Sequence, residues 1–139
     1  MVQGLSHITF IVRDLDRMQE ILTRVFDARK VYDSGSESFS LSKERFFLIG
    51  KGEEPIWVVA MEGEPLPTRT YNHVAFKIAD HQYEDYLQRI RGLGLEVREG
   101  RSRVSGEGQS IYFYDDDNHM FELHTGTLDE RLKRYAEGR

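Results

Sequence analysis

The sequence predicts an α+β fold made of two paired βαβββ modules and a C-terminal helix. The first observation is a weak internal repeat: SHITFIVRD, beginning at Ser6, resembles NHVAFKIAD, beginning at Asn72. The repeat aligns His7 with His73, and in each copy an aspartate closes a strand-like stretch. The second observation is helical spacing of apolar residues after each aspartate, and the third is a set of strand-like stretches after each predicted helix.

Module one is predicted to span about residues 1–64. Asp14 is a suitable helix N-cap, and apolar residues then recur at helical spacing at Leu15, Met18, Leu22 and Val25. The strand-like stretches that follow are residues 39–42, where apolar and polar residues alternate, and the apolar runs 46–49 and 56–61.

Module two is predicted to span about residues 70–126, after a linker at Leu66-Pro67-Thr68. Asp80 is its candidate N-cap, and the helix that follows is marked by Tyr83, Leu87 and Ile90 and ended by Gly92 or Gly94. Its strand-like stretches are residues 96–98, 110–114 and 120–124.

The C-terminal helix is predicted over about residues 127–137, because Thr127 and Glu130 form a capping box of the T-x-x-E kind. The whole chain of 139 residues has the size of one domain.

Composition excludes several classes of function. The chain has no cysteine, which removes disulfides, thiolate ligands and a cysteine nucleophile, so any metal must bind to His, Asp or Glu. The net charge of −5 and the scattered basic residues argue against nucleic acid, whereas one or two arginines in a cleft could still bind a small anion. With no apolar run of roughly 18 residues and no secretory signal, we expect a cytoplasmic protein without a membrane partner.

A metal site is predicted from three residues. His7 and His73 are equivalent in the repeat, and Glu122 lies inside an apolar strand, where a carboxylate is costly to bury unless it is paired or binds a cation. Two imidazoles and one carboxylate form a facial triad that leaves positions open for substrate and suits Mn²⁺, Fe²⁺, Ni²⁺ or Zn²⁺. Each residue alone is more typical of an ordinary hydrogen-bonded strand, but the combination favours a metal.

Two further residues have less certain roles on this reasoning. His124 shares the strand face of Glu122, so it is a competing ligand or, as we expect, a residue that supports the ligands. Glu44 lies in Ser42-Lys43-Glu44-Arg45, which taken alone is typical of a salt-bridged surface turn.

The repeated unit with His7, His73 and Glu122 resembles the vicinal oxygen chelate superfamily, whose paired modules surround one divalent metal. Within that superfamily the chain is similar to the fosfomycin resistance enzymes, most of all to those of the FosX type. The segments that carry this likeness cover nearly the whole chain: GLSHITFIV, FSLSKERFFLIG, RTYNHVAFKI, GEGQSIYFYDDDNHMFELHTGTL and ERLKRY.

The resemblance implies an activity. Fosfomycin is a small epoxide that bears a phosphonate, and members of the family open it with glutathione, with bacillithiol or cysteine, or with water. Glu44 matches the general base that activates water in the FosX type and that the thiol transferases lack. Hydrolysis to a diol phosphonate is therefore the expected reaction, and fosfomycin resistance the expected effect.

The resemblance also implies site residues. His7, His73 and Glu122 match the metal ligands, and Mn²⁺ is the usual cofactor. The polar groups that match contacts to the phosphonate or the epoxide oxygen are Thr9, Tyr71, Ser110, Tyr112 and Arg131, and Arg103 lies near a basic position of the family's loop. Thr9 or Tyr112 would hydrogen-bond the leaving oxygen.

The family forms homodimers in which both chains build each site, so we expect His7 from one chain and His73 and Glu122 from the other. The stretch GLEVREGRSRVSGEGQ stands where the glutathione transferases bind potassium, and no potassium is expected here. Two alternatives stay open: a thiol transferase using glutathione, bacillithiol or cysteine, and a non-catalytic protein that sequesters its ligand.

Overall fold

The computed structural model describes residues 1–98 and 108–138. Its elements follow in the order β1 (Ile8–Val12), α1 (Leu15–Phe26), β2 (Arg29–Asp33), β3 (Glu44–Ile49), β4 (Ile56–Glu62), β5 (His73–Lys77), α2 (Tyr83–Gly92), β6 (Val97–Arg98), β7 (Ser110–Tyr114), β8 (Met120–His124) and α3 (Leu128–Glu137). Within the described residues, no helix is both long and apolar enough to span a bilayer.

The chain divides into two units. The first unit comprises Met1–Thr68 with Asp116–Asn118, and the second comprises Arg69–Asp115 with His119–Arg139. The first has a four-stranded sheet of order β1-β4-β3-β2, and the second has a sheet of order β5-β8-β7-β6. In both, the first strand runs parallel to the last, and the remaining pairs are antiparallel. The predicted βαβββ repeat is confirmed.

In the first unit, α1 packs against one face of the sheet. The Asp14 carboxylate accepts from the Arg17 backbone N–H at 3.1 Å and so caps the helix as predicted. All four apolar residues that marked this helix are buried: Leu15, Met18, Leu22 and Val25. Because side chains alternate along a strand, the other face of the sheet carries Thr9, Glu44, Phe46 and Val59.

The second unit repeats this arrangement with α2 and a core of stacked aromatic rings. The rings of Phe113 and Phe121 lie 5.3 Å apart, and both residues are fully buried. Strand alternation places a set of mostly polar side chains on the opposite face of this sheet: His73, Ser110, Tyr112, Glu122 and His124.

The strand expected at residues 39–42 is wrong. That segment is a bend in which Phe39 and Leu41 are 78% and 91% exposed, and the strand lies instead at Arg29–Asp33. The alternation of FSLS is real, but the segment pairs with none of the described strands. β2 escaped prediction because it is mostly exposed, charged at both ends and interrupted by a bulge between Lys30 and Tyr32.

The start of the second helix also differs from the prediction. Asp80 begins a short 3₁₀ turn, Asp80–Gln82, and α2 follows at Tyr83. The Gln82 side-chain oxygen accepts from the Ala79 backbone N–H at 2.9 Å, which satisfies the donor at the beginning of the turn. The turn therefore starts without an aspartate cap.

The C-terminal helix begins as expected, with the Thr127 hydroxyl accepting from the Glu130 backbone N–H at 3.1 Å. No residue of this helix is buried. Its apolar side chains Leu128, Leu132 and Tyr135 are exposed in the single chain.

Candidate metal centre and active site

Two of the predicted ligands meet in the second unit. His73 is the first residue of β5, Glu122 is the middle residue of β8, and the two strands run side by side in parallel. This register places His73 Nε2 2.9 Å from Glu122 Oε1. The Glu122 residue is only 5% exposed. A buried carboxylate is thus paired with an imidazole, as a metal-binding pair requires.

The protons of His73 are fixed by its surroundings. Its Nδ1 lies 2.7 Å from the Tyr71 carbonyl oxygen, which only accepts, so Nδ1 carries the hydrogen. In the neutral ring Nε2 then presents a lone pair toward the carboxylate of Glu122. Two lone pairs that face each other at this distance repel, and a cation bound by both atoms would remove that repulsion. The pair therefore fits a divalent metal, with the carbonyl of Tyr71 orienting the ligand.

The second oxygen of Glu122 is held by Ser110, whose hydroxyl lies 2.6 Å from Oε2. The same hydroxyl lies 2.7 Å from His124 Nδ1, and His124 Nε2 lies 3.2 Å from a terminal nitrogen of Arg131. Glu122 is thereby connected through Ser110 and His124 to a guanidinium on α3. A fixed carboxylate of this kind is better organised for binding a metal than a mobile one.

Tyr71 and Tyr112 border the pair. The Tyr71 hydroxyl donates to the Tyr112 hydroxyl at 3.1 Å, and the rings of His73 and Tyr112 meet edge to face at 5.6 Å. Burial raises the pKa of the Tyr112 phenol far above its ordinary value, and the negative charge of Glu122 acts in the same direction. Tyr112 therefore keeps its proton at neutral pH and can act as a donor.

A cleft of about 480 Å³ opens beside Tyr71 in the second unit, lined by Arg69, Thr70, Tyr71, Glu96, Arg98 and Tyr114. Arg69 pairs with Glu96 at 2.6 Å and stacks 4.2 Å above the Tyr114 ring, while Arg98 donates to the Tyr114 hydroxyl at 3.0 Å. Two guanidinium groups against one carboxylate leave the lining positive, which suits the approach of an anion.

The first unit holds the remaining predicted residues. His7 precedes β1, with its ring 4.4 Å from the ring of Trp57 and its Nδ1 3.0 Å from the Ser6 hydroxyl. His7 and Thr9 are both exposed within the single chain. The indole of Trp57 therefore restricts the orientation of His7.

Glu44 begins β3, and Ser34 fixes its backbone from both sides. The Glu44 N–H donates to the Ser34 hydroxyl, and the Ser34 N–H donates to the Glu44 carbonyl, each at 3.0 Å. The Glu44 carboxylate oxygen Oε2 is buried and has no hydrogen-bond partner among the described residues. A buried acceptor without a donor is unusual in a folded protein, and such an oxygen is suited to accept a hydrogen bond from a water or a bound ligand.

The predicted residues therefore fall into two groups. The second unit brings together His73, Glu122, Tyr71, Tyr112, Ser110 and Arg131, and the first unit holds His7, Thr9 and Glu44. Arg103 lies outside the described residues. In those residues no set of three His, Asp or Glu side chains is arranged to hold a metal ion.

Two supporting contacts were missed by the sequence reasoning. The ring of Trp57 beside His7 gave no signal, because a tryptophan in an apolar strand is typical of a core residue. Ser34 lies in a serine-rich loop where no single serine stands out. Spacing did point to His124 as a neighbour of Glu122, but it gave no indication of the link to Arg131.

Comparison with known proteins agrees with this geometry. The model of the Glyoxalase/Bleomycin resistance protein/Dioxygenase superfamily matches residues 4–123. The fosfomycin resistance protein FosX of Mesorhizobium japonicum is 64% identical over 138 residues, which cover 99% of this chain and 96% of the relative. The metallothiol transferase FosB of Staphylococcus saprophyticus is 31% identical, over 99% of this chain and 86% of that protein.

A solved structure gives the same result. It is a glutamate-to-glutamine variant of FosX from Listeria monocytogenes, complexed with Mn(II) and 1S,2S-dihydroxypropylphosphonic acid. The TM-score is 0.86 at 52% identity, covering 97% of this chain and 99% of that one. By family match, sequence identity and fold, the chain belongs to the Glyoxalase/Bleomycin resistance protein/Dioxygenase superfamily and, within it, to the FosX fosfomycin resistance proteins.

Proposed function

We propose that this protein is an Mn(II)-dependent enzyme that opens the epoxide of fosfomycin with water and so confers fosfomycin resistance. The observation that carries the proposal is Glu44 Oε2, a buried carboxylate oxygen with no hydrogen-bond partner in the described part of the chain. It is supported by the 64% identity to a FosX protein and by the diol phosphonate bound to the Listeria monocytogenes FosX, since a diol is what water addition to an epoxide yields.

The metal would be held by His7, His73 and Glu122. The pairing of His73 Nε2 with Glu122 Oε1 supports this, because it brings two atoms of metal-ligating side chains within 2.9 Å of each other. When bound there, the ion supplies Lewis-acid polarisation of the epoxide oxygen.

Glu44 acts as the general base. Its free oxygen accepts a proton from water while the water oxygen attacks the carbon that bears the phosphonate. The bond from that carbon to the ring oxygen breaks, and the ring oxygen takes up a proton. One water is thereby added across the C–O bond, and no thiol is consumed.

The polar residues hold the substrate. Tyr112, which stays protonated, or Thr9 hydrogen-bonds the leaving oxygen, and Tyr71 and Arg131 bind the phosphonate. Ser110 is also proposed as a contact, although its hydroxyl is engaged with Glu122 and His124 and would have to share those bonds. Arg103 remains a prediction.

We further propose a homodimer with shared sites, in which His7 from one chain completes the pair of His73 and Glu122 from the other. The exposed apolar side chains Leu128 and Leu132 on α3 support an association between chains. A mixture of His7→Ala and Glu122→Gln subunits tests the sharing. Shared sites would restore about a quarter of the wild-type activity, because half the dimers are mixed and each has one intact site. No recovery would contradict the sharing.

A thiol transferase is the second candidate, favoured by the 31% identity to the metallothiol transferase FosB. The experiment that separates the two follows fosfomycin and Mn(II) by phosphorus NMR, without thiol and with glutathione, cysteine or bacillithiol. Hydration predicts diol without any thiol. An adduct that forms only with thiol would make the protein a transferase, and unchanged fosfomycin in every sample would favour a sequestering protein.

The role of Glu44 is tested in the same assay. Glu44→Gln keeps the shape of the side chain but removes the base, so diol formation should fall sharply. Glu37→Gln, an exposed glutamate in the loop before Glu44, is the matched control and should hydrate fosfomycin like the wild type. Equal rates for Glu44→Gln and the wild type would refute the proposed base.

A further inference from the structure

His124 has no part in the proposed mechanism, yet it lies between two groups that do. Its side chain is 17% exposed, its Nδ1 lies 2.7 Å from the Ser110 hydroxyl, and its Nε2 lies 3.2 Å from a terminal nitrogen of Arg131. Ser110 in turn lies 2.6 Å from Glu122 Oε2. The chain of contacts therefore joins the proposed phosphonate-binding arginine to a proposed metal ligand.

The direction of every hydrogen bond in this chain follows from its two ends. A guanidinium only donates, so His124 Nε2 must be the acceptor and carries no hydrogen. Ser110 donates to the carboxylate of Glu122 at 2.6 Å, so the Ser110 hydroxyl hydrogen points to Glu122. The Ser110 oxygen is then free to accept, and His124 Nδ1 must carry the ring hydrogen and donate it.

This assignment excludes the other tautomer of His124. A hydrogen on Nε2 would face the N–H groups of Arg131 at 3.2 Å. The arrangement also argues against His124 as a competing metal ligand, because its Nε2 faces the positively charged guanidinium of Arg131.

We propose that His124, as the tautomer with its hydrogen on Nδ1, is a positioning residue that couples the phosphonate-binding side chain of Arg131 to the metal ligand Glu122. The proposal rests on the proposed function, which assigns those two roles. On one side His124 directs Arg131, which extends from a helix with no buried residue. On the other side it directs the Ser110 hydroxyl, which orients the carboxylate of Glu122.

We call the chain of contacts from Arg131 through His124 and Ser110 to Glu122 the relay. The backbone around the relay supports the proposal. Gly108 adopts a left-handed φ of +79°, and a Cβ there would lie 2.5 Å from the Gly126 nitrogen. The two segments therefore approach too closely for any other residue. Gln109 and Thr125 are joined by two further bonds, from Gln109 N–H to the Thr125 hydroxyl at 2.8 Å and from Thr125 N–H to the Gln109 carbonyl at 3.0 Å. These contacts fix Ser110 and His124, which follow and precede them directly in the chain.

Two substitutions divide the relay at His124. The side-chain amide of asparagine is short and can replace the Nδ1 donor to Ser110, but it does not reach Arg131. The longer side chain of glutamine can offer its oxygen to Arg131 in place of Nε2, but it leaves Ser110 without its donor. His81→Asn is the control, because His81 is an exposed histidine to which the proposed mechanism assigns no role.

The two variants should fail in opposite ways. In His124→Asn the Kd for Mn(II), measured by EPR titration without substrate, should stay within about 3-fold of wild type, while the KM for fosfomycin rises by about 10-fold or more. In His124→Gln the Kd for Mn(II) should rise by about 10-fold or more, with the smaller change in KM. His81→Asn should change neither quantity.

A purely structural role would not separate the two quantities, so parallel changes in both variants, or wild-type behaviour in both, would overturn the proposal. Nitrogen NMR of the His124 ring, in the full-length protein before Mn(II) is added, tests it even if the variants fold poorly. The proposal expects a protonated Nδ1 and a bare Nε2, and a hydrogen on Nε2 would overturn it. Failure of the proposed function is distinguishable, because the wild type itself would then leave fosfomycin unchanged with Mn(II) present.

Discussion

The two units share one backbone plan, but the sheet faces turned away from their helices differ in chemistry. In the first unit Val59 is paired with Thr9 and Phe46, and in the second unit Glu122 is paired in the same way with Ala75 and Tyr112. By the same registers Glu44 corresponds to Ser110, Met61 to His124 and Trp57 to Met120. The sheet faces that pack against the helices are apolar in both units.

The difference shows how one backbone arrangement can hold two carboxylates, Glu122 and Glu44, in different environments. The second unit gives its carboxylate two partners, since the Ser110 hydroxyl donates to Glu122 and His73 Nε2 lies 2.9 Å from it. The first unit has an apolar residue at the same position and places its carboxylate, Glu44, at the strand start, where Oε2 has no partner among the described residues. A satisfied carboxylate suits a metal ligand, and an unsatisfied one suits a base.

The largest effect is expected when the proposed general base of the first unit, Glu44, is replaced by the residue at the equivalent position of the second unit. Glu44→Ser installs the residue of the equivalent position and removes the proton acceptor, so the rate of fosfomycin hydration should fall by about 10²- to 10⁴-fold. Mn(II) affinity by EPR should not change, because Glu44 is not a proposed ligand. Added formate should restore part of the rate by entering the vacated space. A variant that kept its rate would show that the two positions are not functionally distinct.

A large loss of stability is expected from the reverse exchange. Val59, which is 4% exposed, corresponds to Glu122 in the second unit. Val59→Glu would therefore bury a carboxylate in the first unit. Its neighbour there would be the carboxylate of Glu44, because Glu44 stands where the second unit has the hydroxyl donor Ser110. The free energy of unfolding should fall by about 3 kcal/mol or more, measured by urea titration. Ile56→Glu, at the exposed end of the same strand, is the control and should cost much less. A mild effect at Val59 would mean that the first unit can also accommodate a buried carboxylate.

A moderate effect is expected from the residues that support the two histidines. Trp57 contacts the His7 ring, whereas His73 is oriented by the Tyr71 carbonyl and its neighbour Met120 makes no comparable ring contact. Trp57→Leu should weaken Mn(II) binding by about 1 kcal/mol, the worth of an aromatic contact. Met120→Leu should leave Mn(II) affinity nearly unchanged, because the Tyr71 carbonyl that orients His73 remains in place. Equal losses would show that both histidines depend on side-chain packing.

Much of this arrangement could be predicted from the sequence, because each copy of the repeat is recognised from residues that are close together in the chain. His7 and His73 lie at matching positions, and strand alternation already placed Glu122 and His124 on one face. The helix caps Asp14 and Thr127 are confirmed for the same reason, since a cap depends on residues within one turn.

The features that escaped prediction depend on long-range or exposed structure. β2 is mostly exposed and pairs with β3 across the intervening loop, so its hydrophobic pattern carried no signal. The unpartnered oxygen of Glu44 is a property of the folded environment and not of the Ser42-Lys43-Glu44-Arg45 motif. The relay through His124 depends on where α3 presents Arg131, which no spacing rule specifies.

The smallest effect is expected at Asp33, which organises the loop that leads to Glu44. The Gly35 N–H donates to Asp33 at 2.8 Å and lowers the pKa of its carboxyl below the ordinary 3.8, and Lys30 and Arg45 act in the same direction. Gly35 accommodates this turn because it adopts a left-handed φ of +63°.

Because the folded state lowers this pKa, the ionised form contributes stability above pH 3.8 that is lost as the pH falls through the lower folded value. Asp33→Asn should therefore reduce the free energy of unfolding at neutral pH by less than about 1 kcal/mol, given the exposure of these ion pairs. The difference from wild type should shrink below pH 3.8, as measured by urea titration across pH. A difference that persisted in acid would mean that Asp33 acts by shape and not by charge, so the loop before Glu44 would be held without electrostatics.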